Sequence, residues 1–285
     1  MSSLKKREIK DLIDKSYKYR VTILKMMKLD EVHIGGAFSC IDILTVLYNK
    51  ILNNNPKDPK WDKRDRFILS AGHKGIALYV VLQDLGYFDE EILWTWGSLG
   101  SRISMHPDEK TLPGIEFPTG ALGHGLALAG GLAITAKLDK KTHKVFALLG
   151  DGECAEGTVW EAAMSAAHFK LDNLFAIVDR NRLQVNGQTS DVMDSSLLEE
   201  KFKSFGWETR VINGHKMNEI YKALMDMPFN VGKPSCVIAD TVKCKGIETW
   251  ENNMLSHHCH WNAEKVDEAI NLLKSAKRKE IAGLE

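Results

Sequence analysis

Asp151 sits between two glycines, Gly150-Asp151-Gly152, at the end of the apolar run 144–149 (KVFALL). Asn181 follows a second apolar run, 174–178 (LFAIV), with 28 residues between Gly152 and the asparagine. A carboxylate and a carboxamide at adjacent strand ends are hard oxygen ligands of the kind Mg²⁺, Mn²⁺ or Ca²⁺ accepts, with phosphates of a bound ligand completing the shell. The glycines let backbone N–H groups approach those phosphates, and the helix that follows adds its N-terminus. A Gly-Asp-Gly alone is equally a tight turn. With the asparagine after the next strand, it predicts a metal and diphosphate site.

Such ligands need a scaffold that gathers strand ends. The pattern predicts strands at 66–70, 144–149, 174–178, 207–212 and 235–239, separated by helices. Helices are expected over 4–27, from an N-cap at Ser39 until Asn53, to about residue 85, over 157–169, near 217–227 and from 265 onward. Alternating strands and helices imply an α/β fold with a mostly parallel sheet flanked by helices, whose ligands lie at the carboxyl ends of the strands. No linker or repeat interrupts residues 1–285, which read as a single domain.

Composition removes other functions. Basic and acidic residues both number 38, so no electrostatic grip on nucleic acid or an anionic membrane is expected. Five cysteines without CxxC spacing predict neither a disulfide framework nor a zinc knuckle, and the charged N-terminus carries no signal-peptide core. With no apolar run of spanning length expected, the chain reads as cytoplasmic.

The stretch GDGECAEGTVWEAAMSAAHFKLDNLFAIVDRNRL resembles the diphosphate-binding motif of thiamine diphosphate enzymes, in its transketolase version. The resemblance implies a thiamine diphosphate-binding fold in which Asp151, the Asn181 side chain and the Leu183 carbonyl bind the cation, while Gly152 lies against the diphosphate. It also implies that Glu156 is the acid at a subunit interface linking cofactor sites. Four histidines stand in segments similar to transketolase motifs: His33 in VHIGGAFS, His73 in FILSAGHKGIALY, His106 in ISMHPDEKTLPGIEFPTGALGHG and His257 in TVKCKGIETWENNMLSHHCHWN. By that likeness they handle sugar oxygens, with His73, His257 and Lys243 also touching the cofactor. Gly120 and Leu122 would lie along its aminopyrimidine. Imidazoles suit the task, since they titrate near neutrality and both donate to and accept from hydroxyls.

The sequence departs from the family at several points. Ile34 replaces Pro, Asp108 replaces Glu, Ser256 replaces Trp and His258 replaces Gly, which makes His258 a competitor for the role of His257. His124 reads as packing or capping, Cys154 as a small apolar filler, the tryptophans as core or interface, and His143, His168 and His215 receive no role. The resemblance covers only the diphosphate-binding part of a full transketolase; after residue 262 only one charged helix remains. It therefore implies the N-terminal subunit of a split transketolase, transferring a two-carbon ketol unit from a ketose, expected to be a sugar phosphate, to an aldose. A separate pyrimidine-binding C-terminal subunit would complete it, in a heterotetramer with two copies of each. The rival readings are a transketolase-type chain working on a modified or sulfonated sugar, another thiamine diphosphate enzyme such as the α chain of a 2-oxo acid dehydrogenase, and a scaffold chain with a dead site.

Overall fold

A computed structural model describes residues 3–284. The chain forms α1 (Lys6–Met26), α2 (Ile34–Val46), β1 (Arg66–Leu69), α3 (Gly75–Asp84), α4 (Gly125–Leu138), β2 (Val145–Gly150) and α5 (Gly157–His168). There follow β3 (Leu174–Arg180), α6 (Thr189–Val192), α7 (Leu198–Ser204), β4 (Glu208–Asn213), α8 (Met217–Met225), β5 (Ser235–Asp240) and α9 (Ala263–Ala282). The five strands make one sheet in the order β1-β2-β3-β5-β4, and every pairing is parallel. The predicted strands are all present, and α1 matches its predicted span to within two residues.

Strand pleating divides the core. Phe146, Leu148, Phe175, Ile177 and Val237 face one side of the sheet with residues of α1, α2, α3, α8 and α9. Their neighbours Ala147, Leu149, Ala176, Val178 and Ile238 face the other side with α4, α5 and α7. Near-continuous apolar strands are what a sheet covered on both faces requires. Pairing carries β2 to Gly150 and β3 to Arg180, past the predicted ends, so that Gly150 stands opposite Asp179 and Arg180 opposite Asp240. There the Arg180 guanidinium grips the Asp240 carboxylate through two hydrogen bonds of 2.7 and 2.8 Å.

The prediction fails at the start of α2. The helix begins at Ile34 with His33 at its N-cap position, and Ser39 lies inside it rather than capping it. Ser39 is buried and its hydroxyl is committed to the Gly36 carbonyl and to Asp179, so it serves the interior. Gly35 is needed in the first turn because a Cβ there would fall 2.6 Å from Ser256 Oγ and 2.8 Å from Lys243 Cγ. With the turn that follows it, this helix gives an apolar stretch from Ile34 to Ile51, long enough by length and composition to cross a membrane, contrary to the expectation that no such run exists. It is 83% buried inside the fold, as a core helix is.

A buried polar network ties α1 to α2 and to the β5 exit. Arg20 and Asp42 pair through two bonds of 2.8 Å, and the Ser16 hydroxyl also donates to Asp42. His215 completes it: Val242 N–H donates to His215 Nε2 at 2.8 Å, which leaves Nδ1–H to donate to Asp42 at 2.7 Å. Burial opposes charge on Asp42, yet Arg20 and His215 hold its pKa well below the usual carboxylate range. Asp42→Ala would strand the Arg20 guanidinium without its partner, and the expected loss is about 3–5 kcal/mol in the unfolding free energy measured by urea titration at pH 7.

Candidate active site

Because the sheet is parallel, β1, β2, β3 and β5 deliver their carboxyl ends to one edge. Asp151 leaves β2, and its carboxylate accepts from Gly152 N–H at 2.9 Å and from Arg182 N–H at 2.6 Å. Asn181 leaves β3; Leu183 N–H donates to its Oδ1 at 3.1 Å, and its Nδ2 lies 3.4 Å from Ser39 Oγ. The chain then turns through Arg182 with φ +63° into a short hairpin in which Gln184 N–H pairs with Gly187 O and Thr189 N–H with Arg182 O. The Leu183 carbonyl lies outside those pairs. The donor set Asp151, Asn181 and Leu183 C=O is therefore all hard oxygen, as a divalent cation requires. Burial and then the neighbouring Asp179 push the Asp151 carboxyl up to about 6, the condition of a carboxylate that a cation would relieve.

Residues that sequence reading missed hold this edge together. Lys74 Nζ lies 2.6 Å from Asp179 Oδ2, and both side chains are removed from solvent. Ser39 Oγ donates to the same oxygen at 2.5 Å, and the Thr241 hydroxyl donates to Oδ1. Burial opposes the Lys74 charge, but Asp179 prevails and raises its pKa above the ordinary lysine value. Glu153 is the second tie: it accepts from Gly123 N–H at 2.9 Å, Gly150 N–H at 3.0 Å and the Ser70 hydroxyl. It clamps the loop carrying Gly120 and Leu122 onto the ends of β1 and β2. That loop also presses on Gly72, where a Cβ would meet Gly120 N at 2.8 Å.

The four predicted histidines converge, with His258 as a fifth. His33 is the hub, its ring centroid 5.5 Å from His73, 6.4 Å from His106, 5.2 Å from His257 and 4.6 Å from His258. His73 and His257 are 5.7 Å apart. Burial, reinforced by the neighbouring histidines, pushes His33 down to about 3. Burial and then Lys243 push His257 down to about 4, and burial also lowers His73 and His106. These four imidazoles are neutral at pH 7. Lys243 is buried rather than solvated; its Nζ lies 3.2 Å from His257 Nδ1, and desolvation lowers its pKa to about 8. Two buried polar atoms facing this region have no partner among the described residues: His33 Nδ1 and Thr119 Oγ1.

The remaining assignments are quickly placed. Gly120 rests on the His106 ring, and Leu122 is exposed at the edge of the loop. Glu156 stands exposed at the N-cap of α5, close to Gly123. His124 neither packs nor caps: it is exposed, occupies the N-cap position of α4 without a capping bond, and turns its Nδ1 to the Leu122 carbonyl. Cys154 is buried, with burial lifting its thiol pKa well above the usual range, as a filler should be. Trp207 is core and donates to the Ala163 carbonyl, whereas Trp94 is exposed.

Comparison with known proteins places this geometry. Residues 16–278 match the family described as transketolase, thiamine diphosphate binding domain. The chain is 44% identical over 238 residues to one of the subunits of the apulose-4-phosphate transketolase of Phocaeicola vulgatus, covering 84% of each. It is 36% identical over 251 residues to a 6-deoxy-6-sulfo-D-fructose transketolase subunit of Clostridium sp., covering 88% of this chain and 91% of that one. A transketolase structure from Campylobacter jejuni superposes with a TM-score of 0.85 at 32% identity, over 96% of this chain but only 46% of that one. The chain thus has the length of the separate subunits and less than half that of the solved enzyme, and the 2-oxo acid dehydrogenase reading falls. From the strand-end oxygen ligands to the histidine cluster and the matched span, the chain belongs to the transketolase family, as a transferase subunit bearing its thiamine diphosphate-binding domain.

Proposed function

We propose that this chain is the N-terminal, diphosphate-binding subunit of a two-chain transketolase that moves a two-carbon ketol unit from a ketose to an aldose. The observation that carries the reading is the placement of five histidines beside the oxygen set of Asp151, Asn181 and Leu183, on a chain of subunit length. The partner is a separate chain carrying the pyrimidine-binding half, in a heterotetramer with two copies of each, and residues 1–285 act as one domain. The partner's landing surface is the α4–α5 face. There the exposed side of α4 carries Ala127, Gly131 and Leu138, with Thr135 and Lys137 toward its end, and Met164 and Phe169 stand exposed nearby. Glu156, exposed on that face, is the acid that meets the partner's side of the cofactor. Free thiols throughout the described residues and the balanced charge support a cytoplasmic location.

The cation, Mg²⁺ or its Ca²⁺ or Mn²⁺ substitute, is held by Asp151, Asn181 and the Leu183 carbonyl. Gly152, His73, Lys243 and His257 hold the diphosphate side, while Gly120 and Leu122 line the ring. When bound, thiamine diphosphate supplies the electron sink that lets the bond beside a ketose carbonyl break and re-form. This chain's own work is orientation and proton handling. With Lys243 donating to His257 Nδ1, the His257 Nε2–H is left to donate to a sugar oxygen, which favours His257 over His258 for the family role. His33, His73 and His106, neutral at pH 7, accept hydrogen bonds from sugar hydroxyls or donate them. A complete oxygen set beside them argues against a dead scaffold. The names of the two-chain relatives favour a modified sugar, phosphorylated or sulfonated, as the donor class.

Calorimetric titration of thiamine diphosphate with Mg²⁺ into the chain, alone and with its partner chain, tests the reading. Binding should need the metal, strengthen with the partner and weaken by about a hundredfold or more in Asp151→Ala; absence of binding in both preparations overturns the assignment. A second expectation concerns pH. The unfolded chain takes up protons at the ordinary 6.5 that folded His33 and His257 refuse until about 3 and 4. Stability from this cluster is therefore complete above pH 6.5 and declines as pH falls toward 4. Urea midpoints across that range, with NMR titration of the His257 ring centred near pH 4, check it.

A further inference from the structure

His258 occupies a position where the family pattern has glycine, and its placement is built rather than incidental. Val32 and Cys259 form an isolated antiparallel bridge, with Val32 N–H donating to Cys259 O and Cys259 N–H to Val32 O, both at 3.0 Å. In such a ladder the next residues inward, His33 and His258, stand opposite one another with side chains on the same face. Their rings are accordingly the nearest of the His33 contacts, 4.6 Å apart and inclined by 36°. Beyond His258 lies Glu31, with Oε2 3.4 Å from His258 Nδ1. Glu31 is itself anchored, since the buried Trp96 donates its Nε1–H to the Glu31 carbonyl at 3.1 Å.

This pair stands at the mouth of the cluster. The His258 side chain is 36% exposed and that of Glu31 54%, whereas His73 behind them is more deeply placed. With Nδ1 turned toward Glu31, the Nε2 of His258 has no partner among the described residues. Because the Nδ1 hydrogen is spent on Glu31, Nε2 presents a lone pair, and with the Glu31 carboxylate it offers two acceptors within one reach, which the O–H of a sugar hydroxyl satisfies by donating. A phosphate or sulfonate at the same point would face the Glu31 carboxylate as a like charge.

We propose that His258 and Glu31 form a hydroxyl-reading subsite at the mouth of the site, selecting aldose acceptors that present a free hydroxyl there and leaving any anionic terminus to be bound elsewhere. This rests on the ketol-transfer reading above. An exposed polar contact of this kind stabilises a fold little, so a purely structural role would leave substrate preference untouched.

The test uses the reconstituted two-chain enzyme with hydroxypyruvate as ketol donor and three acceptors: glyceraldehyde, its 3-deoxy analogue lactaldehyde, and glyceraldehyde 3-phosphate. Wild type should prefer glyceraldehyde to lactaldehyde by about tenfold or more in kcat/KM, as a site that pairs a hydroxyl rejects the analogue lacking it. In His258→Gly that ratio should fall to about one, with KM for glyceraldehyde raised more than kcat is lowered. In Glu31→Gln the phosphate should gain about tenfold over glyceraldehyde as the repelling charge disappears. Calorimetric affinity for thiamine diphosphate should stay at the wild-type value in both variants. Unchanged acceptor ratios in both variants, or a loss of cofactor affinity accompanying the change, overturn the subsite. A wild-type complex that binds cofactor yet transfers a ketol unit to none of the three overturns the transketolase reading instead.

Discussion

The buried ion pair between Lys74 and Asp179 is the constraint on which the site depends. Asp179 lies near the carboxyl end of the sheet's central strand, and its two oxygens are shared among Lys74 from the β1 exit, Ser39 from α2 and Thr241 from the β5 exit. Each of those three segments carries a neighbour in or beside the histidine cluster: His73, the turn of His33, and Lys243. A charge in so dry a place persists only when paired and fully hydrogen-bonded, and either residue alone would be costly. The pair therefore ties together the three segments at one buried point, beside contacts such as that of Cys244 N–H with the Gly35 carbonyl.

Around that centre the site combines two electrostatic demands. At the Asp151 end, Asp151 and Asp179 place two carboxylates close together, and Lys74 is bonded to Asp179 alone. At the histidine end, the imidazoles stand near two lysines, and desolvation keeps the buried ones neutral rather than cationic. The same low-dielectric pocket thus favours an incoming cation at one end and polar, uncharged contacts at the other. Glu153 spans the space between, holding the loop of residues 120–123 to both β1 and β2 through three hydrogen bonds.

What the sequence revealed followed the range of the interactions. The Gly-Asp-Gly turn and Asn181 were legible because each is a local event at the end of an apolar strand, and the strands themselves showed as short apolar runs. The histidine segments were legible by likeness of pattern. Lys74, Asp179 and Glu153 were not: Lys74 meets a partner 105 residues away, Ser70 meets Glu153 across 83, and Ser39 meets Asp179 across 140. No periodicity signals such pairs. Ser39 misled for the same reason, since a serine preceding an apolar stretch looks like a cap until its distant carboxylate is known. Nor does any local pattern signal the Val32–Cys259 bridge that sets His258 opposite His33.

That bridge has a consequence for how the molecule is made. Val32 precedes every strand of the sheet and Cys259 follows every one, so the two can pair only after the intervening chain has collapsed into its native order. Closing a loop that spans the entire sheet is entropically expensive and comes late unless the intervening structure has already brought the ends together. During synthesis His33 leaves the ribosome long before His257 and His258 exist. The histidine cluster cannot be assembled piecemeal, and its completion marks a chain whose whole sheet has folded.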